Sequence, residues 1–467
     1  MTPISSPAPD PAPPARVVRL VRGLLRRALP GPSNPRMRTG PRGRYLRALT
    51  VVDVDLDTGE LAPQAGPTPF AEAPEGVYAI VWAGGRPVAD VTVEGRPEEL
   101  STRLLPLAAD AAAAAAAGPA PEAGAAGRPA GSVDGSGVTV AVCTRDRAED
   151  LVHCLTAIGA LATTVAEVLV VDNASVDDST RRVVADFPFA RYVREPRAGL
   201  DWARNRALLE ARTPVVAFTD DDALVHPRWV DGLLRGFAEV PGAAAVTGLV
   251  VPLELSTPAQ VVFEARGFGR GYARRVFRSS PGVPAGREHA DLGDTGTGAN
   301  MAVLREPVLA LGGFDPALDV GTPTGGGGDH ELLFRLVAAG HALVYEPSAV
   351  VRHRHRATMA GLARQRRGDG TGSYSWWLGA GRRYGGRQYA GLRRQAVRWA
   401  VHHHVLNAAR SLLYPELFPP VLSWADARGA ARAATGDLYR RALRQAAEQA
   451  AAHPAEPTAP PLVHPRG

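Results

Sequence analysis

Three carboxylates in a row, Asp220, Asp221 and Asp222, directly follow the apolar run VVAFT. Acids packed that closely repel one another unless a cation lies among them. Hard oxygen ligands suit Mg²⁺ or Mn²⁺, ions that commonly bridge protein carboxylates to phosphates. A solvated acidic turn or a helix cap is the plainer alternative, but Asp172 ends a second apolar run, EVLVVD. Two acidic strand ends together point to metal or nucleotide binding. A further acid, Asp329, follows four glycines and opens a helical pattern whose apolar positions are Leu332, Leu333, Leu336 and Val337. Taken alone, Asp329 suits an N-cap, while the glycines allow a ligand to approach closely or a loop to close over it. In SAVVRHRHR, strand alternation puts Val351, His353 and His355 on one face and Arg352, Arg354 and Arg356 on the other.

The elements that must position these groups read as alternating strands and helices. VTVAVCT, EVLVVDN, RYVREP and PVVAFTD are short apolar or β-branched runs. Between them lie DLVHCLTAIGAL, DDSTRRVVADF and GLDWARNRALLEA, all with helical spacing. Near-continuous apolar strands separated by helices predict a parallel sheet covered on both faces. In such sheets ligands bind beyond the carboxyl ends of the strands, where Thr144 to Arg147, Asp172 to Ser175 and Asp220 to Asp222 all fall.

Seven pieces in order carry a resemblance: VAVCTRDR, EVLVVDNASVDDS, GLDWARNRAL, VVAFTDDDAL, TGTGANMAVLRE, GGFD and GGGGDHELLFRL, over roughly residues 137–356. This array resembles the family-2 glycosyltransferases of GT-A fold. The resemblance implies an α/β, mixed and mainly parallel sheet flanked by helices. It also implies an inverting transferase that uses a nucleotide-diphospho-sugar and a Mg²⁺ or Mn²⁺ ion. By the same resemblance Thr144, Arg145 and Asp146 meet the nucleoside, and Asp172 meets the base or ribose. Arg204 and Asn205 line the donor pocket. Asp220 and Asp222 match the outer acids of the Asp-x-Asp motif, with Asp222 the direct metal ligand, Asp221 in the donor site, and His353 completing the metal site. Asp329 matches the general base. The family usually carries Glu just before that Asp, where this chain has Gly328, and Glu331 stands two residues on as the alternative base.

Around residues 137–357 the composition implies further parts: a disordered basic tail over 1–40, a small β-rich accessory domain over 41–105 and an Ala/Gly/Pro linker over 106–136. A helical region follows over 358–450, then a disordered tail over 451–467. All 53 basic side chains are Arg, a residue whose planar fork suits phosphate. They are dispersed, so no nucleic-acid partner is expected. Cys143 and Cys154 are expected as free thiols. No stretch approaches the roughly 20 apolar residues that span a bilayer. A cytoplasmic protein is expected, with peripheral contact at the inner face of the plasma membrane as its furthest membrane involvement. Arg19, Arg22 and Arg26 on a basic helix over 16–29, and the cluster Arg364, Arg366, Arg367, Arg382 and Arg383, would serve that contact. The acceptor is expected to be a glycan, lipid-linked or small-molecule hydroxyl. The competing functions are a sugar-nucleotide pyrophosphorylase, whose glycine-rich nucleotidyl loop is missing from VAVCTRDRAED, and an inactive sugar- or nucleotide-binding scaffold.

Overall fold

A computed structural model describes residues 48–63, 76–94, 97–117, 134–266, 271–279, 295–380, 383, 390–413, 415 and 418–454. The expected tail over 1–40, residues 455–467 of the expected tail over 451–467, the basic helix over 16–29 and residues 118–133 of the expected linker lie outside the described residues, whereas residues 451 and 452 close the last helix.

The N-terminal strands are β1 (Thr50–Asp55), β2 (Leu61–Pro63), β3 (Gly76–Ala83) and β4 (Arg86–Glu94), in the order β2-β1-β3-β4 with β1 and β3 parallel. Helix α1 (Pro97–Ala116) lies on one face and buries Leu104 and Ala108 against Val54, Ala79 and Val81. The alanine run expected to open a linker at 106 therefore continues this helix to Ala116. Alanine has the highest helix propensity, and burial of Ala108 supplies the packing that a peptide of this composition lacks. The opposite face packs Val51, Tyr78, Ile80 and Trp82 onto Leu249, Val251 and Val350 of the larger sheet and onto Leu255, just past one of its strands. Arg352 adds an ion pair to Asp53 at 2.6 Å, and Trp82 stacks on His226 with ring centroids 4.6 Å apart.

The larger sheet comprises β5 (Val138–Thr144), β6 (Glu167–Asn173), β7 (Ala190–Glu195), β8 (Val215–Asp220), β9 (Ala223–Val225), β10 (Ala243–Pro252), β11 (Arg275–Phe277), β12 (Asn300–Leu304) and β13 (Ala342–His353). Its order is β11-β13-β10-β12-β8-β5-β6-β7, with β9 paired to β13. The four strands expected from these runs, β5 to β8, are mutually parallel. β12 is antiparallel to both β8 and β10, which makes the sheet mixed. One face is covered by α2 (Ala148–Gly159) and α5 (Trp229–Glu239), through Leu151, Leu155, Ile158, Trp229 and Leu233. The other is covered by α3 (Leu200–Glu210) and α4 (Gly328–Ala338), through Ala203, Leu208 and the expected Leu332, Leu333, Leu336 and Val337. Registers pair Thr144 with Asp172 and Cys143 with Asp220, so three polar strand ends fall on one edge.

Beyond β13 the chain is helical, as expected: α6 (Met359–Ser375), α7 (Ala390–Trp399), α8 (Leu406–Leu413), α9 (Pro420–Ala434) and α10 (Asp437–Ala452). Single π-turns, Trp376–Ala380 and Ala400–Val405, follow α6 and α7. Trp376 and Trp377 pack in this helical core with Phe334, and Trp202 donates its indole N–H to Gln449 Oε1 at 2.9 Å. None of the three indoles is offered to a sugar ring.

Candidate active site

The strand edge gathers the acids as the sequence predicted. Asp220, Asp222 and His353 each present a ligand atom within 4.8 Å of the others. His353 Nε2 lies 3.1 Å from Asp222 Oδ1 and 3.6 Å from Asp220 Oδ2. It arrives there because β9 pairs with β13 in a register that sets His353 opposite Ala223, one residue after Asp222. Burial alone would lower the His353 pKa, but the two carboxylates push it up to about 10. The same pairing holds Asp222 well below the usual carboxylate range against its own burial, with Arg147 and Arg356 adding to it. Two carboxylates and an imidazole form a donor set that suits Mn²⁺ or Mg²⁺, with metal binding displacing the imidazole proton. A second group, His403, His404 and Asp426, is equally close, but its one carboxylate is already paired with His403 at 2.9 Å and Arg366 at 3.4 Å.

Asp221 points elsewhere. It accepts from Thr144 Oγ1 at 2.7 Å and pairs with Arg147 at 3.0 Å. Burial raises its pKa to about 7, with Arg147 and Thr144 opposing. The sequence reading left out Arg147, whose guanidinium spans Asp221, Asp222 at 2.9 Å and Asp150 at 3.0 Å. Its position in the polar turn directly after β5 was the available signal. Arg356 reaches to 3.7 Å of Asp222 although alternation put it opposite His353. β13 ends at His353, with Arg354 N–H still donating to the Asp222 carbonyl at 3.0 Å, and beyond it strand alternation no longer fixes the side on which Arg356 falls. His355 lies past the strand end as well, where it bonds Glu264 at 3.0 Å.

The other expected donor-site residues are placed as follows. Asp146 has a left-handed backbone (φ 55°), accepts from Val176 N–H at 2.8 Å, and donates its own N–H to Ser175 Oγ at 3.0 Å. The neighbouring Arg145 is half-exposed and 3.6 Å from Asp146. Asp172 is buried, with one oxygen accepting from Ser175 N–H at 3.1 Å and the other from Tyr192 at 2.6 Å and Arg194 at 3.0 Å. The Asn205 amide is taken up by the Phe314 backbone, donating to its carbonyl at 2.9 Å and accepting from its N–H at 2.8 Å. Arg204 is buried and donates to Asp201 at 3.0 Å and Asp319 at 2.6 Å. Its charge also bears on both Asp329 and Asp220, which links the metal-type cluster to the helix start.

Asp329 occupies the first turn of α4. Its Oδ2 accepts from Gly298 N–H at 2.7 Å and its Oδ1 from His330 N–H at 2.8 Å. Burial would raise its pKa, but His330, Arg204 and these two N–H groups outweigh it and bring the carboxyl down to about 2. Gly298 is required beside it: a Cβ there would stand 2.4 Å from the Arg204 guanidinium. At Gly328, where the resembling family carries Glu, a Cβ would stand 1.9 Å from Asp201 Oδ2. The Asp201 carboxylate fills that space here. Glu331 is buried with both oxygens on Arg335, at 2.7 and 2.8 Å. Arg335 in turn donates to the Leu311 and Gly313 carbonyls. Glu331→Gln is therefore expected to destabilise the fold by about 3–5 kcal/mol, the usual result of breaking one side of a buried pair, while turnover per folded molecule stays near wild type. Chemical denaturation alongside active-site titration checks this; a folded variant without activity would reassign the base to Glu331. Cys143 and Cys154 are free thiols, and burial pushes Cys143 up to about 12.

In an α/β sheet of this kind ligands bind beyond the carboxyl ends of the strands, where these acids and the facing carboxylate of Asp329 stand. Residues 139–282 match the family model Glycosyl transferase family 2. The pre-mycofactocin glycosyltransferase of Mycobacterium tuberculosis is 28% identical over 224 residues, which cover 48% of this chain and 43% of that protein. The glucosyl-dolichyl phosphate glucuronosyltransferase of Haloferax volcanii is 26% identical over 231 residues, 46% of this chain and 69% of that one. The succinoglycan biosynthesis protein ExoM of Rhizobium meliloti is 29% identical over 245 residues, 49% and 71%. A solved Pyrobaculum calidifontis mannosyltransferase, in complex with GDP-Man and Mn²⁺, superposes with a TM-score of 0.43 at 19% identity, covering 64% of this chain and 87% of that one. The chain thus spans less than half the length of the mycobacterial relative it matches. The family matched over residues 139–282 and the Mycobacterium and Haloferax relatives are all glycosyltransferases, which favours neither a pyrophosphorylase nor an inactive scaffold.

Proposed function

We propose that this protein is an inverting, divalent-cation-dependent glycosyltransferase, moving a sugar from a nucleotide-diphospho-sugar to the hydroxyl of a glycan or lipid-linked acceptor in cell-wall or polysaccharide synthesis. The observation that carries the reading is the grouping of Asp220, Asp222 and His353 within 4.8 Å at the strand edge. Asp222, Asp220 and His353 would hold Mn²⁺ or Mg²⁺, which supplies charge neutralisation to the departing nucleoside diphosphate. Arg147 and Arg356 hold Asp222 Oδ2, the oxygen other than the one that meets His353. Thr144 sets Asp221 and so the β5 turn, with Arg145 and Asp146 facing the nucleoside and Asp172 holding the β6 turn for the base or ribose. Arg204 and Asn205 shape the pocket wall from behind. Asp329 takes the proton of the attacking acceptor hydroxyl. One base and one displacement at the anomeric carbon give inversion.

The relatives bear on the acceptor: one is named for a dolichyl-phosphate-linked sugar and another for succinoglycan synthesis. The first test is thermal. UDP or GDP is expected to raise the melting temperature only when Mn²⁺ or Mg²⁺ is present. At about 100 times Kd the stabilisation is about 2.7 kcal/mol. Equal stabilisation in excess chelator would point to a metal-independent binding module.

A further inference from the structure

Eleven large apolar side chains are exposed among the described residues, and six of them lie between Val397 and Trp424. Val397, Val401 and Val405 recur every fourth residue along α7 and the π-turn Ala400–Val405, and all are more than 60% exposed. A regular α-helix has 3.6 residues per turn, so a four-residue repeat drifts round its axis. The wider i→i+5 winding of a π-turn brings the repeat back toward one line. Arg394 and Arg398 are exposed on this same side, because positions three and four apart share a helix face. Leu392 and Ala396 are buried on the opposite side. α8 then folds back onto α9, with Ser411 and Ser423 hydroxyls 2.8 Å apart. This sets exposed Leu412, Val421 and Trp424 at the same end of the helical region, with Trp424 70% exposed.

The stretch that carries this face is mainly basic. From 390 to 436 the chain carries six Arg and two acids, and one of the acids, Asp426, is buried. Arg428 and Arg432 are exposed on α9. By contrast, Arg366 and Arg383, part of the cluster singled out in the sequence, turn inward to Asp426 and Asp315. An apolar helix face interleaved with arginine and flanked by an exposed indole suits a bilayer interface. Arginine stems lie along apolar surface there while their heads meet phosphate, and tryptophan favours the headgroup level.

We propose that the outward face of α7, α8 and the start of α9 docks on an anionic lipid bilayer. The face is coupled to the candidate active site by close packing: Gly429 of α9 lies against the Arg367 carbonyl of α6, and Gly372 of α6 lies against Gly326, in the loop that presents Asp329. A docked face would hold the catalytic loop near membrane-borne acceptors. That consequence rests on the transferase reading, whereas the docking face itself does not.

The test is co-sedimentation of the full chain with vesicles of phosphatidylglycerol mixed with phosphatidylcholine, against phosphatidylcholine alone. Wild type is expected to partition to the anionic vesicles and to be released by high salt, as the screening length shrinks. Val401→Ser with Val405→Ser, Trp424→Ser, and Arg394→Glu with Arg398→Glu are each expected to lower the partition by about tenfold. All are expected to keep the wild-type circular dichroism and nucleotide-sugar hydrolysis in solution. Wild-type protein that ignores anionic vesicles, or variants that bind them like wild type, would overturn the proposal. So would a dimer that the same substitutions split without any change in vesicle binding, since the face would then belong to a second copy. Hydrolysis in solution reports the catalytic centre separately: its absence from every form, with vesicle binding intact, would sink the transferase reading and leave the docking face standing.

Discussion

Asp329→Asn is expected to lower turnover by about 10²–10⁴-fold, the usual contribution of a positioned general base, with donor affinity close to wild type. The carboxylate accepts two backbone N–H groups, one on each oxygen, from Gly298 and His330. An Asn side chain can satisfy only one of them, because its NH₂ group faces the other donor. A stability loss of about 1 kcal/mol therefore accompanies the change, too little to unfold the chain. The same two N–H groups, with His330 and Arg204, bring Asp329 down to about 2. A carboxyl depressed in the fold contributes stability above its unfolded pKa and loses it as pH falls through the folded value. Asp329 is accordingly ionised throughout the neutral range, and no acidic limb of the pH–rate profile there should belong to it. Steady-state turnover and calorimetry of donor binding measure the two halves of the prediction. An Asn variant with turnover within a few fold of wild type would take the base role from Asp329.

How much of this was legible in the sequence differs from part to part, for physical reasons. The parallel strands β5, β6 and β8 were readable because both of their faces are covered, so their apolar runs are continuous; the edge strand β7, ARYVRE, is only partly buried and less apolar. The acidic strand ends followed from them. Helix α1 was misread at its C-terminal half because an alanine run has the composition of a linker. Only the buried pair Leu104 and Ala108 against the four-stranded sheet makes it a packed helix. Arg356 went to the wrong face because alternation holds only while a strand lasts, and β13 stops at His353. The distinction between Asp329 and Glu331 was beyond sequence alone. It depends on Arg335 lying one helical turn from Glu331 and on Gly298, from a distant segment, donating to Asp329. Arg147 was missed for a similar reason: its three acidic partners span residues 150–222 and meet only in the folded sheet. The π-turn that aligns Val397, Val401 and Val405 leaves no signature in composition.

Asp222→Ala is expected to abolish metal-dependent donor binding, a loss of at least about 100-fold given that even outer partners of metal ligands cost 10–100-fold. Asp222 supplies the shortest contact in the cluster, 3.1 Å to His353, and its loss leaves Asp220 as the one remaining carboxylate of that three-residue group. The fold should survive, because no buried charge is left stranded. Arg147 retains Asp221 and Asp150. His353 owes its raised pKa first to Asp222, so without that acid it loses its proton more readily. Asp221→Asn provides the contrasting case. That carboxylate faces Thr144 and Arg147 and lies outside the group formed by Asp220, Asp222 and His353, so its removal should loosen the β5 turn yet leave cation binding in place. Calorimetry with Mn²⁺ alone, and then with Mn²⁺ and nucleoside diphosphate, separates the two. If the Ala variant at 222 binds both as wild type does while the Asn variant at 221 does not, the ligand role belongs to the middle acid, and the cation must sit on the Thr144 side of the strand edge.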